Sequence, residues 1–250
     1  MTYLLGLLFV LLSVVVAVGG LLLVRRLVPS AFYKSLHSNA STTVYQPIAL
    51  VYGVAVAFAI LLVWGELNEA EATTQQEASN VEAIYRLAQQ LPESDRDRIQ
   101  ELSRLYVQIV IEEEWPMMAN GQASSRAQNT VEELLGSIQE YEPQTTAESA
   151  LYSQMLTTGD DLYENRELRL LETKEGVPTF VWVVLVITGI LVVAFTYLFD
   201  LESPRVHAVR VAAVTVAVAL SLYTVSVVEY PYAGDVQVGP EAFEMVQGRL

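Results

Sequence analysis

Four stretches of the chain, residues 3–24, 47–65, 178–199 and 211–228, are almost wholly apolar and carry no charge. Each is long enough to cross a hydrocarbon core of about 30 Å, which takes roughly 20 helical residues. They predict four transmembrane helices, the fourth opening as early as Ala208. A cleaved signal peptide is the rival for the first stretch. It lacks a basic leading region, and Arg25 and Arg26 follow it as a stop signal, so a span is the reading adopted.

A different pattern fills the interval between the second and third spans. Beyond Trp64 the chain turns polar, with Glu66, Asn68, Glu69, Glu71, Gln75, Gln76 and Glu77, and from Glu66 it has no Gly or Pro until Pro92. Segment two is therefore expected to continue as one long helix, its outer part keeping a core-facing stripe of Ala70, Ala78, Val81, Ile84, Ala88 and Leu91. Ser94 with Asp97 predicts an N-cap, then a second helix with Ile99, Leu102, Leu105, Tyr106, Ile109 and Val110 inward, ending near Trp115-Pro116. Val131, Leu134, Leu135, Ile138 and Tyr141 define a third helix. Thr145 with Glu148 forms a capping box for a fourth, whose stripe is Leu151, Met155, Leu162 and residues 168–171, and which runs down to Gly176 and Pro178. Pro231 and Gly234 turn the chain after the last span, and Pro240 opens a short surface helix. No strand pattern competes. The expected class is all-α: four transmembrane helices with a helical bundle inserted between the second and third. The expected divisions are 1–66 (spans one and two), 67–177 (acidic insert), 178–229 (spans three and four) and 230–250 (tail).

Charge sharpens this picture. With 52% apolar and 17% charged residues the composition belongs to a membrane class, and all 29 acidic residues lie at or after Glu66. Residues 66–175 hold 23 acidic and 8 basic side chains, which accounts for the whole net charge of −15. Arg25, Arg26 and Lys34 sit in the first short loop, Arg205 and Arg210 in the third. The positive-inside rule thus predicts cytoplasmic short loops, with the insert and both termini of a multi-pass cell-membrane protein outside. An acidic insert repels nucleic acid and anionic lipid and attracts cations; solubility is its plainer meaning.

Candidate chemistry is sparse. Without cysteine there is no disulfide, thiol nucleophile or thiolate metal site, and His37 and His207 stand far apart in sequence. No phosphate loop, dinucleotide fingerprint, metalloprotease motif or nucleophile elbow occurs, so neither an enzyme nor a cofactor is expected. Glu112, Glu113 and Glu114 point in different directions on a helix and are expected to form a solvated face rather than a cation site. In segment four, Ala208, Ala212, Thr215, Ala219, Tyr223, Ser226 and Glu229 share one face, which serves either tight helix packing or a pore lining. Glu229, near the membrane boundary, is a functional candidate or an interfacial anchor beside Tyr230 and Tyr232. Glu66 ends segment two on the same side, and a ring of such carboxylates in an oligomer would select cations. Gly19, Gly20 and Gly189 are expected to permit close helix contact.

His37 with Asn39, Glu77-Ala78, Trp115-Pro116, Asn165-Arg166 with Arg169-Leu170, and Pro178 with Trp182 occur in one order along the chain. The order continues through Tyr230-Pro231-Tyr232-Ala233-Gly234 to Gly239-Pro240-Glu241-Ala242-Phe243. By these motifs the chain resembles, over nearly its full length, the bestrophin-like family of prokaryotic membrane proteins. The resemblance implies kinship with bestrophins, pentameric ion channels with four membrane helices per subunit, whose animal members pass anions and one of whose bacterial members favours sodium. The partners it implies are the lipid bilayer, further copies of the chain, a pentamer being favoured, and inorganic ions. Bestrophins carry an Asn-Pro-Phe-Gly-like element after the fourth span, to which residues 230–234 are loosely similar. The acidic calcium-binding run that follows it there is absent here, so calcium gating is not carried over, and only Tyr52 and Phe58 offer rings for an aromatic neck in segment two. Bestrophins also keep the insert and termini cytoplasmic, against the charge rule here. The leading expectation is a homo-oligomeric, cation-favouring channel lined by the polar face of segment four or the Gly53 side of segment two. The alternative is a non-conducting sensor or scaffold.

Overall fold

A computed structural model describes residues 2–27, 38–174, 176–199 and 203–250. Among these the chain is helical throughout: α1 (Thr2–Leu27), α2 (Ser38–Ala88), α3 (Glu93–Ile109), a π turn (Val110–Glu114), α4 (Trp115–Met118), α5 (Ser125–Gln139), α6 (Thr146–Glu172), α7 (Thr179–Thr196), α8 (Pro204–Val228) and α9 (Glu241–Gln247). Four helices, within α1, α2, α7 and α8, are long and apolar enough to cross a membrane. The described residues divide into two compact units, an apolar one (Met1–Trp64 and Gly176–Glu229) and an acidic one (Gly65–Glu175 and Tyr230–Leu250).

In the apolar unit α8 runs antiparallel to both α1 and α7. At one end Arg25 of α1 meets His207 of α8, and at the other the Tyr223 ring lies over Gly6, where any side chain would collide with it. Tyr197 of α7 packs on Gly20 and donates to the Ala17 carbonyl at 2.7 Å, while Gly189 brings α7 against Val218 and Tyr52. Gly20 and Gly189 thus act as expected, whereas nothing packs on Gly19. The outward faces of these helices stay apolar, with Leu8, Leu50 and Ile187 all more than half exposed. Apolar surface on that scale fits lipid or another protein rather than water.

The acidic unit is built on one long stripe. In α2, Ala70, Thr74, Glu77, Val81, Ile84 and Ala88 are buried at alternating spacings of four and three, the repeat that keeps one face of a helix inward. Against it pack Ile99, Tyr106 and Val110 of α3 and the π turn, Val131, Leu134 and Ile138 of α5, and Met155 and Leu162 of α6. The tail closes the core with Tyr232, Phe243 and Val246. Gly234 makes the turn before α9 with φ of 104°, a conformation open to glycine and strained for other residues.

Local chemistry sets most of the boundaries. Thr145 caps α6 by accepting the Glu148 N–H at 3.1 Å, and Glu148 reaches back to the Gln144 N–H at 2.6 Å. Ser124 caps α5 through the N–H groups of Arg126 and Ala127. Three expectations shift. The cap of α3 is the extended Pro92 rather than Ser94, with Glu93 and Asp95 complementing the helix dipole in the first turn. That helical run does not stop at Trp115-Pro116 but passes through the π turn to Met118, with Pro116 in the first turn of α4. The end of the α6 stripe fails: Leu168 and Leu171 are exposed, and Arg166 and Arg169 occupy the inward positions. Segment two is continuous past Trp64, as expected, but α6 ends at Glu172 and α7 begins at Thr179.

Candidate functional site

The core of the acidic unit contains four charged side chains with almost no solvent exposure, Glu77, Glu114, Arg166 and Arg169. α2 supplies Glu77, the π turn Glu114 and α6 both arginines. Arg169 donates through Nε to Glu77 Oε2 at 2.5 Å and through Nη2 to Glu77 Oε1 at 3.0 Å and Glu114 Oε1 at 2.7 Å. Arg166 Nη2 donates to Glu114 Oε2 at 2.7 Å, and its Nη1 to Gln128. The Tyr106 hydroxyl adds a bond to Glu77 Oε1 at 2.5 Å, and the Ser124 N–H one to Glu114 Oε2 at 3.1 Å. Two acids and two bases cancel, so the group lies in the core with no net charge. An isolated charge there would be prohibitively costly.

Aromatic rings close the cluster. Arg169 lies 5.4 Å from the Trp115 ring centre and 5.8 Å from that of Phe243, and Trp115 meets Tyr232 edge-on at 5.9 Å. The Tyr232 hydroxyl bonds Thr74, Glu172 and the Ala70 carbonyl at 3.0 to 3.1 Å. Burial pushes the Tyr106 hydroxyl well above its usual pKa, with the Glu77 carboxylate acting in the same direction. Burial alone would lower Arg169, but Glu77 outweighs it and holds the guanidinium charged well beyond the ordinary range. Burial likewise raises Tyr232.

Trp115, Arg166 and Arg169, singled out as motif positions, therefore come together. Glu114 corrects the expectation of a solvated acidic face: Glu112 is exposed and Glu113 half-buried, but the π turn rotates Glu114 into the core. Glu77 falls on the inward stripe of α2 and both arginines on that of α6, whereas the position of Glu114 depends on the π turn. Pro116 and Pro178 are exposed, Pro231 is buried and Gly234 forms the turn already described. His37 and the side chain of Asn39 lie outside the described residues. Among the described residues no group of three or more His, Asp and Glu side chains is arranged to hold a metal ion.

The channel candidates fall in several environments. Thr215 is buried and donates to the Val211 carbonyl at 2.8 Å, and Tyr223 packs on Gly6 of α1, so the middle of the polar face of α8 is spent on packing within one chain. Ser226 is exposed and bonds the Tyr223 carbonyl at 2.8 Å. Glu229 accepts the indole N–H of Trp182 at 2.9 Å, linking α7 and α8. Glu66 borders a small cavity of about 140 Å³ shared with Glu69, Glu172 and Pro231. Gly53 faces open space.

These observations define an all-helical, multi-pass membrane protein whose second unit is pinned by buried ion pairs. The bestrophin-like domain family matches residues 11–243, and the chain belongs to that family. No curated protein matches it. Two crystal structures of point variants of a bacterial bestrophin homologue from Klebsiella pneumoniae share its fold. One has a TM-score of 0.72 at 11% identity, covering 99% of this chain and 97% of that one. The other scores 0.69 at 11% identity, covering 97% and 95%.

Glu77→Gln leaves Arg169 with half its counter-charge inside the core. Breaking a buried pair in this way costs about 3–5 kcal/mol, so the thermal midpoint in detergent should fall by many degrees; an unchanged midpoint would show that the cluster contributes little. Alkali should act on the same core. Because the folded state keeps the Tyr106 proton above its ordinary value of 10.0, the unfolded chain binds fewer protons at high pH and stability must drop. Denaturant titrations should show this contribution intact below about pH 10 and lost as pH rises further. Tyr106→Phe should flatten that loss.

Proposed function

We propose that the chain is a subunit of a homo-oligomeric ion channel, a pentamer by analogy with bestrophins, that favours cations. The observation carrying this reading is the bestrophin-like domain extending over nearly the whole chain. The cation preference rests on charge. Glu77 and Glu114 are cancelled internally by Arg166 and Arg169, so the large acidic excess of residues 66–175 remains on the outside of that unit. A surface of one sign concentrates counter-ions of the other and speeds their arrival.

For the path itself, the burial of Thr215 and the packing of Tyr223 on Gly6 favour the Gly53 side of α2 over the middle of α8. There Leu50, Gly53 and Leu61 are exposed on the apolar unit, and a ring of such residues would make an apolar constriction of the kind that gates by dewetting. Glu66, at the polar end of the α2 span, and Ser226 with Glu229, at the end of α8, supply oxygen ligands at the mouth on that one side. The basic short loops support a topology with the acidic insert, between spans two and three, on the extracytoplasmic face. A single cysteine in place of Glu140, in a chain that has none, should then react with an impermeant maleimide on intact cells; reaction only after permeabilisation would reverse the orientation.

Purified protein reconstituted in vesicles should carry potassium or sodium flux and set a cation-selective reversal potential. Glu229→Gln and Glu66→Gln should each move that potential toward the non-selective value. Absence of flux across a range of salts would favour the non-conducting sensor or scaffold, and unchanged potentials would remove the two glutamates as selectivity elements.

A further inference from the structure

Between α1 and α7, floored by α8, the apolar unit carries a groove of about 420 Å³. Phe9 and Val16 form one wall, Ile190 and Val193 the other, with Val218 and Leu222 below. Three hydroxyls also line it, and all three are spent on helix carbonyls: Ser13 donates to Phe9 at 2.8 Å, Tyr197 to Ala17 at 2.7 Å and Thr215 to Val211 at 2.8 Å. A groove whose donors are already satisfied offers water or an ion no hydrogen-bonding gain over bulk solvent. It suits an apolar occupant.

Its length narrows the choice. Residues 186–197, in α7 and at its C-cap, border it, about 16 Å at ~1.5 Å per residue. That is about half of a ~30 Å hydrocarbon core, the depth of one leaflet. A helix, about 10 Å in diameter, needs a wide trough over that length. An acyl chain needs far less.

The Tyr197 end of the groove leads toward the helix ends that carry arginine. α1 closes with Arg25 and Arg26 and α8 opens with Arg205 and Arg210; Arg26, Arg205 and Arg210 are exposed. Together, residues 25–46 and 197–210 hold five basic side chains, Arg25, Arg26, Lys34, Arg205 and Arg210, against two acidic ones, Asp200 and Glu202. Such clusters at a membrane boundary attract phosphate headgroups.

We propose that this groove holds one acyl chain of an anionic phospholipid, with its phosphate against Arg26, Arg205 and Arg210. The site is separate from the channel path and from the buried ion cluster.

Native mass spectrometry of protein released from nanodiscs of mixed phosphatidylcholine and phosphatidylglycerol tests it. The wild type should retain one phosphatidylglycerol per subunit after detergent exchange. Ala194→Trp and Ser13→Trp, which fill the groove, should lose it while helicity and oligomer mass stay unchanged. Arg26→Gln combined with Arg210→Gln should keep a lipid but lose the preference for phosphatidylglycerol. A wild type that emerges bare overturns the proposal, as do well-folded tryptophan variants that retain the lipid. A tryptophan variant that breaks the oligomer into single chains shows instead that a second copy fills the groove. If neither tryptophan variant folds, the wild-type result decides.

Discussion

Charge taken out of water must be cancelled where it lies, and in the acidic unit that requirement falls on Arg169. Its guanidinium reaches Glu77 on α2 and Glu114 on the π turn at once, while Arg166, one turn away on α6, takes the other oxygen of Glu114. The planar fork of arginine permits this bidentate grip, which the point charge of lysine would not. Three separate stretches of chain are thereby fixed in register, and α5 and the tail pack around the result through Gln128, Phe243 and Tyr232. Apolar replacements of similar volume could match the cluster in stability. What ion pairs add is specificity, because a helix slipped by one position would bury an unpaired charge.

The apolar unit answers the same constraint with fewer means. Without water to bond them, backbone groups close on themselves as helices, and side-chain hydroxyls return to carbonyls of their own or a neighbouring helix. Ser13, Thr188, Thr215 and Tyr197 all do so. The contacts of Arg25 with His207 and of Trp182 with Glu229 instead join two side chains, the latter an N–H given to a carboxylate where α7 begins and α8 ends. Indoles favour membrane boundaries for this reason, one edge apolar and the other able to donate.

Much of the helical pattern was legible because periodicity reports burial directly. The stripe from Ala70 to Leu91 and the capping box at Thr145 and Glu148 stand where spacing put them. The charge cluster was harder, since a rule that seeks apolar residues at inward positions passes over Glu77 and Arg166. The useful signal was the alternation of four and three continuing unbroken through charged residues, Glu77 on α2 and Arg166 and Arg169 on α6. Glu114 was hidden by the π turn, which changes the phase of the helix and cannot be read from a fixed period. The shared polar face of α8 was correctly seen as one face, but whether it meets solvent or a neighbouring helix depends on Gly6 of α1, far away in sequence.

Assembly is the point on which the functional account turns, because the proposed path lies along the Gly53 side of α2, between subunits rather than within one. Electron cryomicroscopy of the full-length protein in nanodiscs addresses this most directly. The account predicts a closed ring of subunits around a central hole, with the Gly53 face of α2 turned toward the axis. A monomer, or a pair of subunits packed with no opening between them, would contradict it.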